Sequence, residues 1–386
     1  MTRLILFLVI SVGFFASACV EPFSPRIPDR QTDLLVVEGY INAGPGTTRI
    51  MLSKVSPLST ASQIFEEGAI VRIESKSGAN YAVTERGNGI YESDSLTLPL
   101  GDQYRLVIEC SNGKTYESEY INTKVTPPID SVHWKWEGLL KVYVTSHDDQ
   151  AATQYYSWTF QEDWQIRSQY VITHYYEMIP SDSLVPYYPS DALKLYDCWG
   201  KSVSQEIVIA STRQLAADLI TYPVATIPAA SQKIQTRYSI LVRQRAMTEA
   251  EYNYTVLVKK NAEQNGSFFD PMPSQLFGNI RCADRPDEVV IGYVAAYTTQ
   301  QMRLFVRKDE LPATPLQEKC DSIDFEYSKA NLRAFLSNPS AVLPYKMYYE
   351  DGDSTRLRVL ALPAVCLDCR LKPGATNTHP GWESEP

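Results

Sequence analysis

The sequence predicts a mainly β protein: an N-terminal immunoglobulin-like or transthyretin-like sandwich, then a larger β-sandwich-type domain with a few helices. Three observations carry this. Short runs of alternating apolar and polar residues recur through most of the 386-residue chain, the period-two signature of half-buried strands. Tight-turn pairs such as Asn88–Gly89 and Asn112–Gly113 separate the runs and tolerate the positive φ that hairpins need. Finally, 25 Tyr, 12 Phe and 6 Trp supply rigid rings that suit pleated surfaces and interfaces. The length fits two or three domains, and 44% hydrophobic with 21% charged residues is ordinary globular composition. A net charge of -9 without a basic stripe argues against nucleic-acid binding. With only 4 His, the composition leans away from acid–base catalysis.

Residues 1–18 read as a signal peptide: Arg3, an apolar run from Leu4 to Phe15, then Ala16, Ser17 and Ala18. The apolar run is too short to span a bilayer. Cys19 follows the small residues directly, as in a bacterial lipobox, and is the expected lipidation site, which would tie the chain to outer-membrane lipid. Removing the signal takes away one Arg and no acid, leaving a charge of about -10. Residues 19–30, with three prolines and no periodicity, read as a stiff tether.

Residues 31–127 hold the first domain. LLVVEGYI (Leu34 to Ile41), TRIMLS (Thr48 to Ser53), AIVRIE (Ala69 to Glu74), Tyr81 to Thr84, Ile90–Tyr91, QYRLVIEC (Gln103 to Cys110) and Lys114 to Tyr120 are seven or so short strands. Two packed sheets accommodate them. Val71, Ile73, Leu106 and Ile108 should face the core, while Arg72, Arg105 and Glu109 need water or a partner. Thr126–Pro127–Pro128 is the expected boundary.

Residues 128–370 hold the second domain. Ser131 to Trp136 and Leu139 to Thr145 form strands about a Glu137–Gly138 turn, and QYYSWTF (Gln154 to Phe160) puts Tyr156, Trp158 and Phe160 on one face. Tyr170, Tyr175, Tyr176, Tyr187 and Tyr188 fall in a polar, Pro-containing loop, where rings owe less to a core; these are the candidate contact residues. Gln205 to Ala210 reads as a strand and Ser211 to Thr221 as a short helix. After the strand over Gln235 to Arg245, Thr248 with Glu251 three residues on starts a helix over about 249–264, ended by Asn265–Gly266. Glu288 to Thr298 and Gln301 to Val306 read as a hairpin turning at Thr299–Gln300. Ser328 to Leu336 reads as a second helix, and Met347 to Tyr349 with Thr355 to Leu360 as a last hairpin. Residues 371–386 are a tail.

Besides Cys19 there are six cysteines, which in an exported chain allow up to three disulfides and fifteen pairings. Cys198 and Cys320 are the expected partners of Cys366 and Cys369, stapling the C-terminal segment back onto the second domain; Cys110 reads as a buried free thiol. A metal or dithiol redox role for Cys366 and Cys369 lacks a second ligand pair, so no metal and no cofactor is expected. No nucleophile elbow, phosphate-binding loop or dinucleotide fingerprint is present. Carboxylate pairs such as Glu66–Glu67 and Asp351/Asp353 sit in expected turns and read as solvated surface.

Several stretches together resemble a known family: EPF after the export Cys, LLVVEGYI, GNGIYES, GDQYRLVI, YYSWTFQEDW, YDCWG, YSILVRQRAMTEAEYNY, FDPMPSQLFGNI and LPAVCLDCR. The chain is similar to the Bacteroidota lipoproteins grouped as domain of unknown function 4249, over nearly the whole mature sequence. The usual Pro-Ser-Phe-Trp ending of that family is replaced here by Pro380–Gly381–Trp382. The resemblance implies an outer-membrane, lipid-anchored protein, on the cell surface or at the periplasmic face, often encoded beside a TonB-dependent receptor. It implies no catalytic residue. In that phylum Asp-(Ser/Thr)-aliphatic sites carry O-glycans, which makes Ser95, Ser131, Ser183, Ser322 and Ser354 candidate glycosylation sites; turn chemistry explains the same Asp-Ser pairs. The favoured expectation is a non-enzymatic accessory subunit of a TonB-dependent receptor or other outer-membrane barrel, serving substrate capture or assembly. A free-standing glycan or peptide binder is the alternative, and a surface hydrolase a distant third.

Overall fold

A computed structural model describes residues 34–56, 63–263, 278–312, 319–350 and 353–382. The signal peptide, Cys19, the tether and most of the FDPMPSQLFGNI stretch lie outside the described residues. The protein is mainly β.

The N-terminal strands are β1 (Leu35–Asn42), β2 (Arg49–Lys54), β3 (Ile64–Phe65), β4 (Ile70–Ser75), β5 (Asn80–Gly87), β6 (Ile90–Ser93), β7 (Gln103–Glu109), β8 (Thr115–Ser118) and β9 (Ile121–Asn122). Then come β10 (Ile129–Trp136), β11 (Leu139–His147), β12 (Tyr155–Arg167), β13 (His174–Glu177), β14 (Ser183–Pro186), helix α1 (Pro189–Tyr196), β15 (Asp197–Val203), β16 (Val208–Ser211), β17 (Leu219–Pro228) and β18 (Arg237–Ala246). Helix α2 (Glu249–Glu263) precedes β19 (Ile280–Cys282), β20 (Ile291–Gly292), β21 (Ala296–Tyr297) and β22 (Thr299–Arg307). The chain ends through β23 (Ile323–Glu326), α3 (Lys329–Leu336), β24 (Val342–Glu350) and β25 (Asp353–Pro363).

The first strands fall where the alternation places them. Val71, Ile73, Leu106 and Ile108 are all buried in one core with Ile41, Ile50, Leu52 and Tyr104. The outward residues on β4, β7 and β8 pair with one another: Arg72 with Glu74 and Glu109, and Arg105 with Glu74 and Glu117. The two expected layers are joined into one hydrogen-bonded path, β19-β8-β7-β4-β5-β6-β2-β1-β20, wrapped round that core.

That path corrects the boundary at residue 127. Its two ends, β19 and β20, come from residues 280–292, and β21 also pairs with β1. Ile280, Cys282, Val290, Val294 and Ala296 complete the first core. The expected hairpin over residues 288–306 is therefore absent. Its first half runs parallel to β1 in one body, and its second half, β22, is a single strand on β18. Gly292 explains the divergence: with φ +141° it lets the backbone approach Val37 so closely that a Cβ would lie 2.2 Å from the Val37 carbonyl oxygen. Lys114 and Tyr116 both bond Glu288, at 2.9 and 2.7 Å, and tie the returning segment down.

The second body is a sandwich. A three-stranded sheet, β10-β11-β17, faces a sheet ordered β15-β12-β18-β22, with β16 also on β12. Tyr156, Trp158, Phe160, Trp164 and Ile166 of β12 enter the core between them, opposite Leu140, Val142 and Val144. Gly200 leaves room for the Trp164 indole, its cross-strand partner, to lie over it. The helix expected over 211–221 is instead a turn followed by β17. Buried Asp218 holds it, accepting hydrogen bonds from Tyr156 Oη at 2.9 Å and Thr212 Oγ1 at 2.5 Å. Local propensity lost there to a buried carboxylate that closes the turn. Helix α2 forms as expected, with the Glu251 amide donating to Thr248 Oγ1 at 3.1 Å; α3 is capped in the same way by Ser328.

A third layer, β23-β25-β24 with the β13–β14 hairpin and α1, packs on smaller cores. Disulfides Cys198–Cys369 and Cys320–Cys366 staple it, one to the sandwich and one within itself. Both use the expected residues. Cys110 is a buried free thiol, as read from the sequence, and so is Cys282.

Candidate functional site

The outer face of the five-stranded sheet is divided between two coverings. One end lies under the C-terminal tail. Thr376 exchanges backbone hydrogen bonds with Trp199, and Trp382 sets its ring edge-on to Trp199 at 4.9 Å and to Phe305 at 5.7 Å. The other end is the floor of a cleft of about 530 Å³, a size typical of small-ligand sites. β1 and β20 form one wall of this cleft and α2 the other, with residues 206–208 at the rim.

The floor is built by strand alternation. On β18, Ile240, Val242 and Gln244 point into the sandwich, so Arg243 and Arg245 point out into the cleft. Cross-strand register places Thr159 and Gln301 on either side of Arg243, and Ser157 and Thr299 on either side of Arg245. The two arginines differ in environment. Arg245 pairs with Glu251 at 3.0 Å, donates to Tyr297 Oη and lies 5.1 Å from the Tyr297 ring centroid. Burial opposes its charge, but Tyr297 and Glu251 outweigh burial and hold its pKa above the ordinary value. Tyr297 is itself stacked on Tyr40 at 4.3 Å, and burial raises its phenol well above the ordinary range. Arg243 has no ion-pair or side-chain hydrogen-bond partner among the described residues, and neither has the exposed carboxylate of Glu38 or of Glu206. Val36, Val258, Ile291 and the Tyr254–Tyr293 pair at 5.6 Å give the lining its apolar and aromatic surface, and Ser157, Thr159, Thr255 and Thr299 add hydroxyls.

The tyrosines singled out from sequence do not form one surface. Tyr170 packs on Tyr345 at 5.0 Å, Tyr175 on Tyr187 at 5.0 Å, and Tyr176 donates to Asp182 at 2.6 Å. These four are half-buried struts of the third layer, on and beside a hairpin rather than in a loop. Tyr188, just before α1, is 77% exposed. Among the candidate glycosylation serines, Ser95, Ser322 and Ser354 are exposed, while Ser131 and Ser183 are half-buried. No group of three or more His, Cys, Asp or Glu able to hold a metal occurs among the described residues. The cleft residues Glu38, Glu206, Arg243 and Arg245 were not singled out from sequence. Their one legible signal is the pair of arginines two apart on the outward face of an otherwise apolar strand.

A model of the family described as "Domain of unknown function (DUF4249)" matches residues 20–303. The chain belongs to this family. The matched region of the DUF4249 protein includes every residue of the cleft and stops before β23, β24 and β25. No curated protein matches. Among solved structures, a cytokine receptor complex is 12% identical, with 56% of this chain and 86% of that one covered, at a TM-score of 0.20. A DUF4785-family protein from Legionella pneumophila is 9% identical over 54% and 52%, with a TM-score of 0.19. The trypsin-activated alpha-2-macroglobulin of Escherichia coli is 8% identical over 59% and only 15%, also at 0.19. Superpositions this loose establish no shared function.

Proposed function

We propose that this DUF4249 protein is a non-enzymatic, lipid-anchored accessory protein of the bacterial outer membrane that captures or presents substrate for a TonB-dependent receptor or related barrel. The observation that carries the reading is the cleft itself. It is a preformed, mixed apolar and charged recess between two β bodies, and its free charged groups, one arginine and two rim carboxylates, suit holding a ligand. The signal sequence, Cys19 and the proline-rich tether support the anchor, and the family resemblance supports the partner. Purification of the tagged chain from its own outer membrane in mild detergent, followed by mass spectrometry, tests it. A stoichiometric TonB-dependent barrel is expected; a lone protein, under extraction that preserves known complexes, overturns the partnership. The same cleft favours a second reading, a free-standing surface binder, which the lone-protein outcome would leave standing.

A further inference from the structure

We propose that the cleft binds a short zwitterionic peptide, its carboxylate on Arg243 and its amino group toward Glu38 or Glu206. This deepens the capture reading by naming a ligand class, and it holds whether or not a barrel partner exists.

The charge pattern selects the ligand. Arg245 and Glu251 neutralise each other, and Tyr297 fixes the arginine from one side. What remains is one guanidinium on the floor, Arg243, and two exposed carboxylates, Glu38 and Glu206, all without ion-pair partners among the described residues. A phosphate or polyanionic glycan would meet two like charges for one opposite charge. A simple cation would leave Arg243 unmatched. A molecule carrying both a carboxylate and an ammonium satisfies both signs, and a planar guanidinium can take a carboxylate through two parallel N–H donors.

The surroundings then fix what joins the two charges. Thr159 lies beside Arg243 on the same face, lines the cleft and offers a hydroxyl to the ligand carboxylate. Val36, Val258, Ile291 and the rings of Tyr254 and Tyr293 line the space with apolar surface. An apolar body with a few polar groups matches peptide side chains and amides better than the hydroxyl-rich body of a sugar. About 530 Å³ accommodates a few amino-acid residues.

The test is affinity selection with the full mature chain in detergent, against a mass-encoded library of free di- to tetrapeptides. Parallel libraries are amidated at the carboxyl end or acetylated at the amino end, and inorganic phosphate and a neutral oligosaccharide set serve as competitors. Free peptides should be retained, with amidation or Arg243→Met lowering retention at least tenfold. N-acetylation should lower it about as much as the double change Glu38→Gln with Glu206→Gln. Each of these side chains lacks an ion-pair partner, so the variants should melt with the wild type, and the amidated and acetylated libraries test the same contacts on unaltered protein. Absence of retained free peptides at 1 mM (roughly the weak end of specific recognition), equal retention of amidated peptides, or displacement by phosphate or oligosaccharide alone would overturn the assignment. Co-purification of a barrel is read separately, so failure of the ligand and failure of the partnership remain distinct.

Discussion

Replacing Cys198 and Cys369 together by Ala tests how the third layer is held to the sandwich. The two residues are 171 apart in sequence, and both are fully buried in the sandwich core. In the chain-entropy account, closing a loop of that length removes denatured-state freedom worth about 5 kcal/mol at room temperature. The Cys320–Cys366 loop spans 46 residues and gives about 4 kcal/mol by the same relation. Native disulfides deliver about 2–5 kcal/mol, so the first double variant should lose between about 2 and 5 kcal/mol, and the second somewhat less. Urea unfolding followed by tryptophan emission is a suitable assay, because Trp199 adjoins Cys198 and packs against Trp382. The expected result is a lower midpoint for both double variants, with the Cys198/Cys369 pair falling further. A loss below about 1 kcal/mol, or the reverse order of the two, would refute the loop-closure argument and point to packing as the main tie.

Other consequences follow from single contacts. Trp382→Ala should cost on the order of 3 kcal/mol and expose residues 373–382 to protease, whereas Trp382→Phe should be mild, because the indole N–H is buried without a hydrogen-bond partner among the described residues. His147 gains a hydrogen bond and charge from Asp130, which raises its pKa above 6.5. That stabilisation is fully present below the unfolded value and is lost as pH rises through the folded one, so Asp130→Asn should destabilise at pH near 5.5 but not near 9; imidazole NMR titration should show the pKa fall back in the variant. Residues 31–127 expressed alone should aggregate or remain unfolded by circular dichroism, because they lack β19, β20, β21 and the core residues these carry; a cooperatively folding fragment would contradict this dependence on residues 280–297.

Local pattern sufficed where a strand's neighbour lies close in sequence. The β4–β5, β7–β8 and β10–β11 hairpins are legible from alternation and turn chemistry, because both the inward face and the turn are encoded within a few residues. The α2 start is legible for the same reason, through Thr248. Cys198 and Cys320 pair with Cys369 and Cys366, within the set the sequence points to, while Cys110 stays a buried thiol whose pKa is pushed up to about 12, by burial first and Glu66 second. What escaped was non-local. β20 and β21 are two residues each, too short for any period, and their pairing with β1 joins segments some 250 residues apart. The loop tyrosines misled because a polar, proline-bearing stretch still supplied cross-strand partners and a small core to pack on.

The same chain crossing that hid the boundary also builds the cleft. Thr126 is bonded on both sides: its amide donates to Thr298 Oγ1 at 2.9 Å, its hydroxyl donates to the Thr298 carbonyl oxygen, and that hydroxyl accepts from the Ala246 amide at 2.9 Å. Gln244 adds a bond to the Pro127 carbonyl oxygen at 3.0 Å and receives the Trp158 indole N–H at 2.8 Å. The junction is therefore part of the sheet network and not a free linker, even though its Thr-Pro-Pro sequence resembles one. Two bodies joined by one flexible strand would have to order themselves around a ligand, and that ordering would subtract from affinity. Here the chain passes between the bodies at residues 124–129, returns to the first at 280–297 and leaves again through β22. The β1–β20 wall and the floor of the cleft are consequently held in one hydrogen-bonded frame. For the peptide capture proposed above, such a frame means that the guanidinium on the floor and the β1 wall need not be ordered by the ligand, which favours binding at low ligand concentration.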